Sequence, residues 1–118
     1  MNDSSKEQEQ EFRKYISQYT RHENRVPFGA LVAYKPEADI DTVYVGWSRC
    51  SSQDQFEKDK AMKIAKSRAH KAYERRTAIM PRDYRGVAPA WWQGEFKERM
   101  AYFVKRVQKY YRTNDVRY

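Results

Sequence analysis

Residues 28–48 read FGALVAYKPEADIDTVYVGWS, and the interpretation of this stretch decides the fold. Two runs rich in β-branched and aromatic residues, 28–34 and 42–48, flank the turn-prone segment 35–41. That is the pattern of an antiparallel hairpin. In the second run Val43, Val45 and Trp47 alternate with Thr42, Tyr44 and Gly46, so the first set is expected to face a core. Gly46 beside Trp47 marks a bulge or the close approach of another backbone.

Helices are expected on both sides of the hairpin. Upstream, Ser4 and Glu7 have capping-box spacing, and Phe12, Tyr15, Ile16 and Tyr19 follow at i, i+3, i+4 and i+7. A polar connection, 21–27, comes next, with Pro27 disfavouring helix at the residue before it. Downstream, Ser51, Ser52 and Asp54 are candidate N-caps for a helix running to residue 76 or 79, and Pro81 ends it. After a loop over 81–89, a last helix starts near Pro89. It places Trp92, Phe96, Met100, Phe103, Val107 and Tyr110 on one stripe. The expectation is an α+β fold, one domain over 1–118 ordered α-β-β-α-α, with the hairpin packed by three helices and with 1–8 and 114–118 frayed.

Length and composition agree with a single small folded domain. At 118 residues one core suffices. Mean hydropathy is −1.12 and 34% of residues are charged, yet 15% are aromatic. Disordered chains are poor in aromatics, so the core is expected to rely on Tyr, Trp, Phe and Met. Cys50 is the single cysteine, which excludes an intramolecular disulfide. The opening MNDSSKEQEQ has no apolar signal region, and no run approaches the roughly 20 apolar residues of a membrane span. A cytoplasmic location is expected, with no membrane partner.

The net charge of +8 is unevenly spread. Residues 1–25 are balanced, residues 26–57 are mildly acidic, and residues 58–118 carry seventeen basic against six acidic side chains. Such asymmetry belongs to a surface that attracts nucleic acid, an acidic protein or anionic lipid. Solvation of two ordinary helices is the plainer explanation.

The helices sharpen the pattern. At 100° per residue, Ala61, Met62, Ala65, Ala69, Ala72 and Tyr73 share an arc of roughly 120°, and Lys60, Lys63, Arg68, Lys71 and Arg75 share another of roughly 140°. On the last helix Lys105, Arg106, Lys109 and Arg112 lie opposite the apolar stripe, with Trp91 and Tyr102 among them. Aromatics among cations suit single-stranded or distorted nucleic acid, where cations neutralise phosphates and flat rings stack on bases. The alternatives are that Trp91 and Tyr102 are buried in a sandwiched helix, or that they serve a protein interface.

Catalytic signatures are lacking. His22 and His70 with one cysteine do not supply zinc spacings, and Cys50 and His70 are linked by nothing in the sequence. Asp39, Asp41 and Glu37 sit where a turn needs polar residues, which explains them without a metal. The four glycines are scattered singly, so there is no phosphate loop. No cofactor and no metal are expected.

Gly46-Trp47-Ser48-Arg49-Cys50, then Asp54, Phe56 and Lys58, then Ile64-Ala65 and Arg68-Ala69, form a GWSxC…DxFxK…IAxxRA pattern. With Lys109-Tyr110-Tyr111-Arg112 it resembles small uncharacterised proteins of tailed bacteriophages, over residues 41–112. The resemblance implies a phage origin and a host-cytoplasmic setting, and it brings no activity. The motif residues read as fold determinants, with Arg68 either pairing with a carboxylate such as Asp41 or Glu57 or serving the ligand.

The expected function is non-enzymatic nucleic-acid binding through the basic faces of two helices, with DNA or RNA as partner. The alternative is a small phage effector that binds and inhibits or redirects a host protein. Oligomeric state is left open.

Overall fold

Tyr15, Ile16, Ser17, Gln18, Tyr19 and Thr20 form a strand, although their apolar spacing also fits a helix. The computed structural model describes residues 13–37, 41–50, 55–75 and 94–118. Strand β1 (Tyr15–Arg21) pairs antiparallel with β2 (Pro27–Tyr34), and β2 pairs antiparallel with β3 (Thr42–Arg49). Helices α1 (Lys58–Arg75) and α2 (Gly94–Tyr111) follow, and β4 (Asp115–Arg117) returns parallel to β3. The sheet order is β1-β2-β3-β4.

Three expectations are corrected. The predicted first helix is a strand where the chain is described, the described order is β-β-β-α-α-β and not α-β-β-α-α, and two helices, not three, pack on the sheet among the described residues. The cause is tertiary. Aromatic and β-branched residues suit a pleated surface, and β2 offers β1 a continuous row of backbone partners from Tyr15↔Tyr34 to Thr20↔Gly29, with a register shift before Arg21↔Pro27. The supposed C-terminal tail likewise finds a partner, with Val43 opposite Val116. The candidate caps Ser51, Ser52 and Asp54, Pro81 and the loop to Pro89, and the segment 1–12 lie outside the described residues.

The hairpin itself forms, in register from Gly29↔Arg49 to Tyr34↔Tyr44. β2 is buried on both faces, because a helix covers each side of the sheet. Leu31, Ala33, Val43 and Val45 pack with Phe96, Met100, Phe103 and Val107 of α2, while Ala30 and Val32 pack with Ala61, Ala65 and Ala69 of α1. Trp47 joins the α2 side. The alternate set in β3 is buried too: Tyr44 is 1% exposed, and Gly46 lies directly beneath the α1 backbone. Gly46 therefore marks a close approach, since a Cβ there would meet the Ala65 carbonyl and the Ala69 amide. The result is three layers, helix on sheet on helix.

β4 is held by a small polar cluster. The Thr42 hydroxyl donates to the Asp115 carboxylate at 2.7 Å, and the Arg117 guanidinium donates to it at 3.1 Å. Both bonds favour the charged form, so the Asp115 pKa lies below the ordinary carboxylate value. A depressed pKa contributes stability that is fully present above the unfolded value, near about pH 4, and is lost as pH falls through the folded one. Protection factors of the Val43 and Val116 amides are expected to fall on acidification below about pH 4, and Asp115→Asn should remove that response. An acid response unchanged in the variant would assign it to other groups.

Candidate nucleic-acid interface

Side chains on the outer surfaces of the two helices are sorted by the layers beneath them. The Ala61, Ala65, Ala69 and Ala72 side of α1 is buried, which turns Lys60, Lys63 and Lys71 away from the sheet. The Phe96, Met100, Phe103 and Val107 side of α2 is buried, which does the same for Lys105, Lys109 and Arg112. None of these six cations forms an ion pair with another described residue. Arg75 is also exposed.

Arg68 is placed differently from the other cations of its arc. Its guanidinium carbon lies 4.1 Å from the centre of the Trp47 ring, and Nη1 donates to the Trp47 carbonyl at 2.8 Å. β4 pairs with β3 only at residues 42–44, so Arg68 covers a stretch of β3 that β4 does not reach. Packing against Trp47 is the role its contacts describe.

On α2, the chain from Arg99 to Asn114 contains no acidic residue. Tyr102 is 59% exposed, so one aromatic ring stands in water on the side of α2 that carries Lys105, Arg106 and Lys109, while Tyr110, on the apolar stripe, is 41% exposed and meets Tyr111 edge-on. Tyr102 is thus not buried by a sandwiched helix. Trp91, expected beside it, lies outside the described residues. The C-terminus of α2 is capped by Arg112 in the left-handed region, φ 54°, with the Thr113 amide donating to the Gln108 carbonyl at 3.1 Å. Glycine usually fills that position. A cation there also complements the helix dipole, which is part of the reason for the basic residues in this turn.

Residues from β1 join this surface, and sequence reasoning missed them. Arg106 donates to the Gln18 side chain at 2.7 Å and Arg99 to the Arg21 carbonyl at 3.1 Å, so the row of α2 that carries both arginines borders β1. His22, stacked on Phe28, contacts Glu95 and ties the β1–β2 turn to the start of α2. On the other side of β1, Lys66 lies 4.5 Å from the Tyr15 ring centre and Lys58 5.5 Å from that of Tyr19. The match is geometric: helix residues four apart rise about 6 Å, close to the 6.6–6.8 Å spanned by two strand residues. The signal was the Lys58, Met62, Lys66 spacing opposite Tyr15 and Tyr19, legible only once β1 is known to be a strand.

The α1 side is anchored by an aromatic cluster. Tyr15 stacks on Tyr34 at 5.1 Å and its hydroxyl is 2.7 Å from His70 Nε2. Tyr73 meets Tyr34 and Tyr44 edge-on. Burial, with Tyr15 and Tyr73 nearby, pushes the Tyr34 pKa up, so Tyr34 packs as a neutral phenol.

Among the described residues, Cys50 and His70 lie apart. Cys50 follows β3 and lines a cavity with Lys60, Ala61 and Ile64 near the start of α1, whereas His70 sits among tyrosines near its end. Ala61 to His70 spans about 13 Å of helix axis at 1.5 Å per residue. Asp41 takes a hydrogen bond on its backbone carbonyl from Thr113, and Asp39 lies outside the described residues. Among the described residues no three His, Cys, Asp or Glu side chains converge on a metal position. No described helix is long and apolar enough to cross a membrane.

No family model matches the chain, and neither a curated protein nor a solved structure does so. The functional reading therefore stands on the chain's own chemistry.

Proposed function

We propose that the protein is a non-enzymatic nucleic-acid-binding protein acting in the cytoplasm, with the outer surface of α2 as its main phosphate-contacting face. One observation carries this reading. The cationic side of α2 from Tyr102 to Arg112 combines four cations, no carboxylate and an exposed tyrosine, Tyr102. Lys105, Lys109 and Arg112 stand free to neutralise phosphates, and Arg106 borders β1 beside them. Tyr102 offers a ring to an unpaired base, a contact worth about 1–3 kcal/mol by truncation. A protein that only solvated its helix would intersperse both signs of charge, as α2 does in its first turns at Glu95, Lys97 and Glu98.

Fluorescence anisotropy with short labelled DNA and RNA, single- and double-stranded, tests it. Binding is expected to weaken steeply with salt, with a log–log slope near −3.6 on B-DNA if about four phosphates are neutralised. Replacing Lys105 and Lys109 by Ala should make that slope shallower by about 2. Tyr102→Ala should weaken binding to single strands more than to duplex. Absence of binding to every probe at about 50 mM salt would overturn the reading.

A further inference from the structure

The cations of α1 and α2 lie on opposite sides of the sheet, and this placement has a consequence for what each molecule can hold. α1 packs on one sheet face through Ala61, Ala65 and Ala69, and α2 packs on the other through Phe96, Met100, Phe103 and Val107. With layers packing about 10 Å apart, the two helix axes are separated by about 20 Å of protein. Lys60, Lys63 and Lys71 point outward on one side, and Lys105, Lys109 and Arg112 point outward on the other. α1 carries seven basic residues against two acidic ones, Asp59 and Glu74, so its face is cationic in its own right.

Duplex DNA has a persistence length of about 150 base pairs and is straight over the one or two turns that a helix face covers. A straight rod on α2 cannot bend round the sheet to reach α1. We propose that each molecule binds two duplex segments at once, one on each helix layer, and so bridges them. This rests on the nucleic-acid reading above. Charge complementarity selects the phosphate backbone as the occupant of both faces, and because that backbone is common to every duplex the contact is independent of base sequence.

Co-capture tests the proposal. One duplex is fixed to beads, a second carries a fluorophore, and the full chain is added at about 50 mM salt. The wild-type protein should retain the fluorescent duplex on the beads. Lys63→Glu with Lys71→Glu on α1, and separately Lys105→Glu with Lys109→Glu on α2, should each bind a single labelled duplex more weakly than the wild type and with a shallower salt slope, through the face that remains, and co-capture is compared at protein concentrations that give equal single-duplex occupancy by anisotropy. Each should lose co-capture by about tenfold or more, because only one cationic face remains. All four positions are exposed, so folding is retained, and circular dichroism checks it.

Duplex binding without co-capture by the wild type would overturn bridging and leave the function above intact. Co-capture that survives in either single-face variant would overturn it as well, since self-association would then be joining two copies of one face. A wild type that binds no duplex even singly would overturn the bridging and, if single strands fail too, the nucleic-acid reading with it.

Discussion

Gly46→Ala is expected to lower the stability of this protein by more than about 4 kcal/mol, enough to unfold much of a domain whose total is about 5–15 kcal/mol. A Cβ at Gly46 would overlap the Ala65 carbonyl oxygen and the Ala69 amide nitrogen, and would lie 2.9 Å from the Arg68 carbonyl carbon. All three atoms are helix backbone, so no side chain can rotate away. α1 would have to lift off β3, separating the buried row Ala61, Ala65, Ala69 and Ala72 from the sheet. Gly94→Ala is the control: its φ is +59°, but a Cβ there meets nothing within 4 Å among the described residues, so only the left-handed strain of about 1–2 kcal/mol is expected. Urea midpoints for the two variants measure the difference. Equal, small losses would mean that α1 does not rest on β3 at this point.

Phe103→Ala is expected to cost about 3–5 kcal/mol, by the opposite mechanism. Phe103 is 0% exposed and stands in the row Phe96, Met100, Phe103 and Val107 that fills the space between α2 and the sheet. Truncation leaves a cavity there, because the ring's neighbours are themselves fixed by close packing. The two helix layers thus respond to opposite changes of volume. The α1 layer is joined by near-contact of backbones over small residues and fails when an atom is added, while the α2 layer is joined by long side chains and fails when atoms are removed. Since α2 carries the proposed phosphate-contacting face, Phe103→Ala should also weaken DNA binding near the unfolding midpoint and leave it little changed well below it. A loss under about 1 kcal/mol would contradict the packing described for α2.

The hairpin was legible because both of its strands carry their own evidence, a β-branched and aromatic run bounded by a polar turn. β1 was not. Phe12, Tyr15, Ile16 and Tyr19 satisfy a helical template, yet Ile16 and Thr20 face α2 while Tyr15 and Tyr19 face α1, which is strand alternation. Six residues fit both periods, and only the presence of β2 as a neighbour decides between them. β4 is shorter still, and its three residues become a strand through Thr42 and Val43 alone. Arg68 shows the same limit at the level of one side chain: its position on the cationic arc was correct, but Trp47, distant in sequence, determines what it touches.

The sequence by itself determined which face of each helix is apolar and which is cationic, because a helix is periodic in its own residues and a side chain's bearing follows from its number. It also determined the hairpin and placed a close backbone approach among the readings of Gly46. Only the tertiary structure decided that the two cationic faces point away from each other across a four-stranded sheet, that β1 runs along the border of α2, and that Arg68 packs on Trp47. Those facts depend on which elements share a sheet face, and burial of β2 on both sides imposes that arrangement: an apolar strand at the centre of a sheet must be covered twice, so the helices separate.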